Sequence, residues 1–205
     1  MKKNKKLKVK RGKVLAVILV LGFVTFLFFY NSRAKLQVVT TVAEIDNYQY
    51  KMESNTTRIY KKYFKELEHE LEDNKIDEEN YASLVSKLFV IDYYTLNNKI
   101  TNKNIGGVQF IHSNLRSSFI EKASNTLYKY IKSNLYGNRK QKLPEVNDVE
   151  IKSIKQISYK NNNYQDNSGY QVEVNINYVT DYDYPKEVTL TLIHEENKLV
   201  IVEIK

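Results

Sequence analysis

The residue types needed for phosphate binding or hydrolysis cluster in Asn104–Phe119, NIGGVQFIHSNLRSSF, which holds a glycine pair, a histidine and three serines. A phosphate cradle needs glycine amides that open directly into a helix, followed by a Lys-Ser/Thr pair. Four residues separate Gly107 from His112, and the Lys-Ser/Thr pair is absent. The spacing instead predicts a positive-φ turn at Gly106 and Gly107, an apolar edge segment, and a helix capped by Ser113 or Asn114.

A second candidate is Asp92, which lies among apolar residues in LFVIDYYTL. At the mouth of a pocket, such a carboxylate can act as a general base with a raised pKa. The alternative is a structural carboxylate at the helix surface, or one bonded to a Tyr hydroxyl or an Arg. The pocket candidates are Asp92, the neighbouring Tyr93 and Tyr94, and His112. No catalytic residue is predicted, because no convergent set of catalytic groups is visible.

The types and spacing of the residues do not favour a metal or cofactor site. The chain has no cysteine, and its histidines, His69, His112 and His194, come from three distant segments without the i, i+4 spacing of helical ligands. His194 shares a strand face with Leu190 and Leu192, which favours a hydrogen-bonded histidine of a sheet. We therefore expect no metal, no cofactor and a non-enzymatic protein.

The net charge of +8 comes entirely from one end of the chain. Residues 1–13 hold eight cations and no acid, so the remaining 24 Lys and Arg equal the 24 Asp and Glu. A domain that binds nucleic acid by neutralising phosphates should carry a basic surplus of its own. The distribution therefore predicts no nucleic-acid partner.

A membrane-spanning helix is predicted for residues 14–32, VLAVILVLGFVTFLFFYNS, which hold no charged side chain. Nineteen helical residues reach about 28 Å, close to the hydrocarbon thickness of a bilayer. Eight cations before the span and only Arg33 and Lys35 just after it place the N-terminus in the cytoplasm and the remainder outside. A cleaved signal peptide is the competing interpretation, and a domain that remains inside the cell is another.

Three helices are predicted beyond a connector. The predicted organisation is a basic cytoplasmic tail (1–13), the span (14–32), a stalk or short strand (33–54) and one extracytoplasmic domain (55–205). Apolar residues recur at helical spacing over about 57–73, after Asp77 through EENYASLVSKLFVIDYYTLNN, and over about 114–136, where Gly137 follows as a C-terminal signal.

The remainder alternates with a period of two. In GYQVEVNINYVT, residues from Tyr170 to Tyr178 alternate between an apolar and a polar face, which predicts a half-buried antiparallel strand. VEIKSIKQISYK precedes it as a strand, and EVTLTLIHEENKLVIVEIK predicts a hairpin with its bend at EENK. The predicted fold class is α+β, with three helices packed on a four-stranded antiparallel sheet.

The element order, with GGVQF between the second and third helices, resembles the cystatin-like, nuclear-transport-factor-two-like cone of extracytoplasmic domains in type IV secretion and conjugation proteins. KLFVIDYYTLNNK and LYKYIKSNLYGNRKQKLPEV are similar to uncharacterised single-pass membrane proteins of low-GC Gram-positive bacteria. The resemblance implies a cone fold and an envelope location. It supplies no catalytic residues.

Two functional hypotheses follow. The first is a non-enzymatic interaction or assembly domain anchored in the cell envelope, for instance within a conjugation-type complex. Its expected partners are the membrane and other envelope proteins, and further copies of the chain are a partner that the sequence allows. The second is an anchored domain that binds a small ligand or acts as an enzyme through the cavity of the cone, with Asp92 at its mouth.

Overall fold

The computed structural model describes residues 19–23, 25, 36–161 and 163–205. The chain divides after Leu36 into two compact units, of which the second is Gln37–Lys205. Residues 19–23 and 25 are helical. Within the described residues, no helix has both the length and the apolar character that a membrane crossing needs. The predicted tail (1–13) and most of the predicted span (14–32) lie outside these residues.

The first two helices form where the apolar spacing predicts them. Helix α1 is Arg58–Glu72, and the Thr57 hydroxyl accepts a hydrogen bond from the amide of Tyr60 at its start. Helix α2 is Glu78–Tyr94, and Asp77 caps it by accepting from the amides of Glu79 and Asn80. Each cap satisfies amides that have no partner within the helix.

The third helix is shorter than its apolar pattern predicts. Helix α3 is Arg116–Asn125, whereas helical spacing continues to about residue 136. The chain breaks at Thr126 because Tyr128 is drawn fully into the interior, where its hydroxyl donates to the carbonyl of Tyr93 at 2.6 Å. The predicted cap is also wrong: Leu115 occupies that position without a side-chain bond, and Ser113 donates to Glu195 instead.

Four strands form the predicted antiparallel meander, in which each strand pairs with the next one along the chain. They are β3 (Val146–Lys160), β4 (Gln165–Tyr178), β5 (Glu187–Glu195) and β6 (Lys198–Ile204). The predicted alternation on β4 is confirmed, because Val172 and Val174 are buried opposite Leu190 and Val188 of β5. The turn after Glu195 falls within EENK, where Glu196 has a φ of 57°.

A hairpin precedes the helices in the part of the chain predicted as a stalk. It consists of β1 (Thr41–Ile45) and β2 (Tyr50–Glu53), and it belongs to the same compact unit as the helices and the sheet. Tyr50 is fully buried and donates to the carbonyl of Leu199 on β6 at 2.9 Å. The compact unit therefore begins near Gln37 and not at residue 55.

One main core joins these layers. Helix α2 packs on β3, β4 and β6, and α1 packs on α2. Helix α2 is buried over most of its surface, which explains why its apolar residues surround the helix more broadly than those of α1. The unit is thus α+β, with helices and a hairpin packed against a four-stranded antiparallel sheet.

Candidate functional site

The glycine pair forms a tight corner against the end of α2. Gly107 has a φ of 76°, and its amide donates to Oδ2 of Asp92 at 2.7 Å. The amide of Gly106 donates to the Tyr128 hydroxyl at 3.1 Å. A Cβ at Gly106 would lie 2.1 Å from the carbonyl oxygen of Asp92, so only glycine fits. The predicted positive φ occurs at Gly107 and not at Gly106. Both amides are already bonded within the protein, which does not favour a phosphate cradle.

Asp92 is the residue that connects this corner to the loop after α2. Its Oδ1 atom lies 2.6 Å from Nζ of Lys99, whose side chain is only 3% exposed. Two full hydrogen bonds, from Lys99 and Gly107, therefore hold the carboxylate in place. For a structural Asp92, the sequence predicts a position at the helix surface or a bond to a Tyr hydroxyl or an Arg. Its partner in the structure is instead Lys99, seven residues further along the chain.

Tyr93 and Tyr94 pack into the interior. The ring of Tyr93 stacks on Phe89 at 5.4 Å between centroids and meets Tyr128 at 5.7 Å. Tyr94 is buried and contacts Tyr93 edge to face. Burial raises the pKa of each of these two phenols to about 12. Neither residue lines the cleft described below, so they serve as packing groups beside Asp92.

His112 is buried elsewhere, beside the edge of β6. Its amide donates to the carbonyl of Ile201 at 3.0 Å, and its ring lies 4.1 Å from that of Tyr164. Nδ1 accepts from the amide of Asn114, which leaves Nε2 facing Glu195 at 3.6 Å. His112 therefore ties the segment before α3 to the sheet and does not join Asp92 in one pocket.

A polar cleft of about 390 Å³ borders the glycine corner. Its walls come from the β1–β2 hairpin, the start of α1, the end of α2 and the loop that contains Gly106. Gln109 fixes the hairpin to this loop, because its side chain accepts from the amide of Lys51 and donates to its carbonyl, at 2.7 and 2.8 Å. Of the four pocket candidates, only Asp92 lines the cleft.

Two cations of this cleft, Arg116 and Lys198, have no carboxylate within salt-bridge distance among the described residues. Nε of Arg116 donates to the carbonyl of Ile111 at 3.0 Å, which orients the guanidinium. Nζ of Lys198 lies 4.3 Å from the ring centre of Tyr50. Partial burial, and next the charge of Arg116, lower the pKa of Lys198. An anionic group placed between Arg116 and Lys198 would relieve the repulsion between their two positive charges.

Neither cation stands out in the sequence. Arg116 and Lys198 lie 82 positions apart in ordinary polar surroundings, and only the packing of α3 beside β6 brings them to one cleft. Lys99 is equally inconspicuous, as part of a loop rich in asparagine. An Asp among apolar residues at the end of a helix does predict a hydrogen-bond donor or a cation beside it, but the sequence does not predict which residue provides this partner.

A separate polar cluster surrounds His194 on β5. Nδ1 lies 2.8 Å from Oδ2 of Asp166. Oδ2 also accepts from the amide of His194, and Oδ1 of the same carboxylate accepts from the amide of Ser168. Nε2 lies 3.4 Å from Glu78 at the start of α2. His194 is thus a hydrogen-bonded histidine of the sheet, as its position predicts. In the part of the chain that the structure describes, no group of His, Asp and Glu has the arrangement of a metal site.

Comparison with known proteins found no matching family model, no matching curated protein and no matching solved structure. The geometry of the chain's own residues is therefore what bears on its function.

Proposed function

We propose that the chain is a single-pass membrane protein whose outer domain, residues 37–205, is a non-enzymatic interaction module of the bacterial cell envelope. In this proposal the domain is a cystatin-like, nuclear-transport-factor-two-like cone. The proposed orientation places the basic tail in the cytoplasm and the domain outside. The span, residues 14–32, and the tail support the anchoring, and the α+β architecture with its meander is compatible with the cone.

The observation that carries the proposal is how the space between the helices and the sheet is filled. This is where a cone with a binding cavity would receive a small molecule. Apolar side chains of α1 and α2 with at most 1% exposure form one core with the valines and leucines of the sheet: Phe64, Leu67, Val85, Leu88 and Phe89. Asp92, the candidate base, is bonded to Lys99 and Gly107 beside this core. A core packed in this way does not readily admit a substrate, but it does support a rigid outer surface of the domain.

Topology can be tested cleanly because the chain has no cysteine of its own. Lys5→Cys places a thiol in the predicted tail, and Lys160→Cys places one at the exposed end of β3. In intact cells, a membrane-impermeant maleimide should label the second variant and leave the first unlabelled until the cells are lysed. Equal labelling of both without lysis, or recovery of the full chain without detergent, would contradict the anchored topology.

If the domain is an interaction module, a partner protein should contact one defined part of its surface. Tyr182 is 39% exposed in the turn between β4 and β5, and tyrosine is enriched at protein interfaces. A photo-crosslinking residue at position 182 should give a discrete adduct in membranes. The same residue at Lys155, on the exposed face of β3, is the control. Identical adduct patterns at both positions would argue against a defined partner on this side of the domain.

A second candidate function, the binding of a small anion, is favoured by Arg116 and Lys198 in the cleft. Carboxylate and phosphate groups both suit an oriented guanidinium beside an ammonium group. Inorganic phosphate and citrate are suitable probes for the full chain in mild detergent. Each should raise the unfolding temperature in wild type and in Lys152→Gln, and the shift should vanish in Arg116→Gln and Lys198→Met. If neither probe changes it, anion binding is wrong.

A further inference from the structure

The segment Lys129–Lys142, KYIKSNLYGNRKQK, differs in charge from the rest of the domain. It holds five cations and no acid, whereas residues 37–205 as a whole hold 22 cations and 24 acids. We name this segment the basic loop. It also exposes apolar and aromatic side chains, since Tyr130 is 74%, Tyr136 55% and Leu135 39% exposed. Exposed tyrosines among lysines are the composition of residues at a membrane interface.

The basic loop is held in a defined conformation. The guanidinium of Arg139 donates to the carbonyls of Asn97 and Lys99 at 2.6 and 2.8 Å, which fixes the loop to the segment after α2. Gln141 closes the loop on itself by accepting from the amide of Lys132 and donating to the carbonyl of Tyr130. Arg139 is thus used internally, and the four lysines of the loop remain exposed: Lys129, Lys132, Lys140 and Lys142.

The basic loop also contacts the first residue of the domain. The amide of Gln37 donates to the carbonyl of Leu135 at 2.7 Å, and the neighbouring Val38 is 73% exposed. Four residues, 33–36, separate Gln37 from the predicted span. Four extended residues cover about 14 Å. A link of this length lets Gln37 and the loop bonded to it reach the lipid headgroups, but it does not by itself hold the loop against them.

We propose that the basic loop rests on the outer surface of the membrane, with Tyr130, Leu135 and Tyr136 at the headgroup level and its lysines against anionic phospholipid. This inference rests on the proposed anchoring. Two independent features lead to it: the short covalent link at Gln37, and a surface that combines positive charge with exposed aromatic rings. Contact with the bilayer would fix the orientation of the domain and direct the opposite end of the sheet away from the membrane.

The far end of β3 provides an internal control. Strand β3 begins at Val146, just after the basic loop, and ends at Lys160. A strand of 15 residues extends about 45 Å, so a probe at Lys160 should be remote from any lipid that the loop touches. Asn138, exposed within the loop, is the matching test position.

The test uses the full chain in nanodiscs that contain phosphatidylglycerol brominated near the headgroup. A fluorophore on Asn138→Cys should be quenched several-fold more strongly than one on Lys160→Cys. Lys132→Glu with Lys140→Glu should abolish the difference, and so should replacement of phosphatidylglycerol by phosphatidylcholine brominated at the same depth. The matched control, Lys152→Glu with Lys155→Glu on β3, should leave it unchanged.

The outcomes separate the two proposals. A chain that does not enter nanodiscs at all contradicts the membrane anchor. A chain that enters nanodiscs but shows equal quenching at Asn138 and Lys160 leaves the anchor intact and overturns the membrane-facing loop. Quenching that is stronger at Asn138 but insensitive to the loop lysines and to lipid charge also overturns the inference as stated, because proximity alone would explain it.

Discussion

Nζ of Lys99 and Oδ1 of Asp92 lie 2.6 Å apart, and the lysine side chain is 3% exposed while that of the aspartate is 18% exposed. The pair joins the end of α2 to the loop that follows it. The second carboxylate oxygen accepts from the amide of Gly107, so one side chain fixes two segments. A charged pair in this position is a structural connection, and its removal should affect stability before it affects any activity.

Asp92→Asn should therefore lower the free energy of unfolding by about 3 kcal/mol, because it removes the counter-charge that is directly bonded to the buried ammonium of Lys99. Urea denaturation of the full chain in mild detergent, followed by circular dichroism, measures the change. The double variant Asp92→Asn/Lys99→Met should recover most of the loss, since neither buried charge remains.

The control is Lys186→Met, which breaks the exposed pair between Lys186 and Asp181 and should leave the free energy of unfolding nearly unchanged. An Asp92→Asn protein with wild-type stability and a lost cellular function would show that Asp92 acts in a site after all.

The glycine corner gives a steric prediction. Gly106→Ala should cost about 2 kcal/mol or more, because the new Cβ would overlap the backbone carbonyl of Asp92, which cannot move without distorting α2. Gly137→Ala is the matched comparison: its φ is +68°, but the Cβ would approach only the flexible end of Gln37 at 3.0 Å. That change should cost about 1 kcal/mol through backbone strain alone. Denaturation curves showing equal losses would contradict this account of the corner.

Tyr50 tests whether the β1–β2 hairpin is part of the domain. Its hydroxyl donates to the carbonyl of Leu199 and lies 2.8 Å from the Tyr81 hydroxyl, which accepts from the amide of Leu199. Tyr50→Phe removes two buried hydrogen bonds, to the carbonyl of Leu199 and to the Tyr81 hydroxyl, and should cost about 1 to 3 kcal/mol in the free energy of unfolding. Tyr48→Phe, on a half-buried tyrosine without a hydroxyl hydrogen bond among the described residues, should be nearly neutral. Equal effects would mean that the hairpin contributes little to the core.

The lowered pKa of Asp166 predicts how the free energy of unfolding depends on pH. Partial burial alone would raise the pKa of Asp166, but hydrogen bonds from His194 and Ser168 outweigh it and lower the pKa to about 2. Because the folded-state pKa lies below the unfolded value, the stabilisation is fully present above about pH 4 and is lost as the pH falls toward 2. Asp166→Asn should therefore lower stability near neutral pH and flatten the decline between these pH values.

Urea denaturation at a series of pH values measures this effect. His194→Gln is the matched variant, since it removes the ring contact but keeps the backbone amide that also donates to Asp166. Its curve should fall between those of wild type and Asp166→Asn. A wild-type slope in Asp166→Asn would show that another carboxylate governs the acid limb.

The regular elements follow from local patterns, because a helix or a strand face is encoded in the spacing of apolar residues within one segment. Thr57 and Asp77 cap the predicted helices, the alternation on β4 places its valines in the core, and Gly107 forms the predicted turn. Each of these depends on contacts among close neighbours in the chain. The sequence determined the α+β class and the order of its elements in this way.

Tertiary structure alone decided which distant polar groups meet. Tyr128 ends α3 early because its buried hydroxyl finds partners at Tyr93 and Gly106, which outweigh the helical spacing that continues beyond it. No local spacing of residues predicts that Lys99 pairs with Asp92 or that Tyr50 reaches Leu199. The same is true of Arg116 and Lys198, which line one cleft. A buried polar group must be paired, but which group pairs with it depends on how the layers pack.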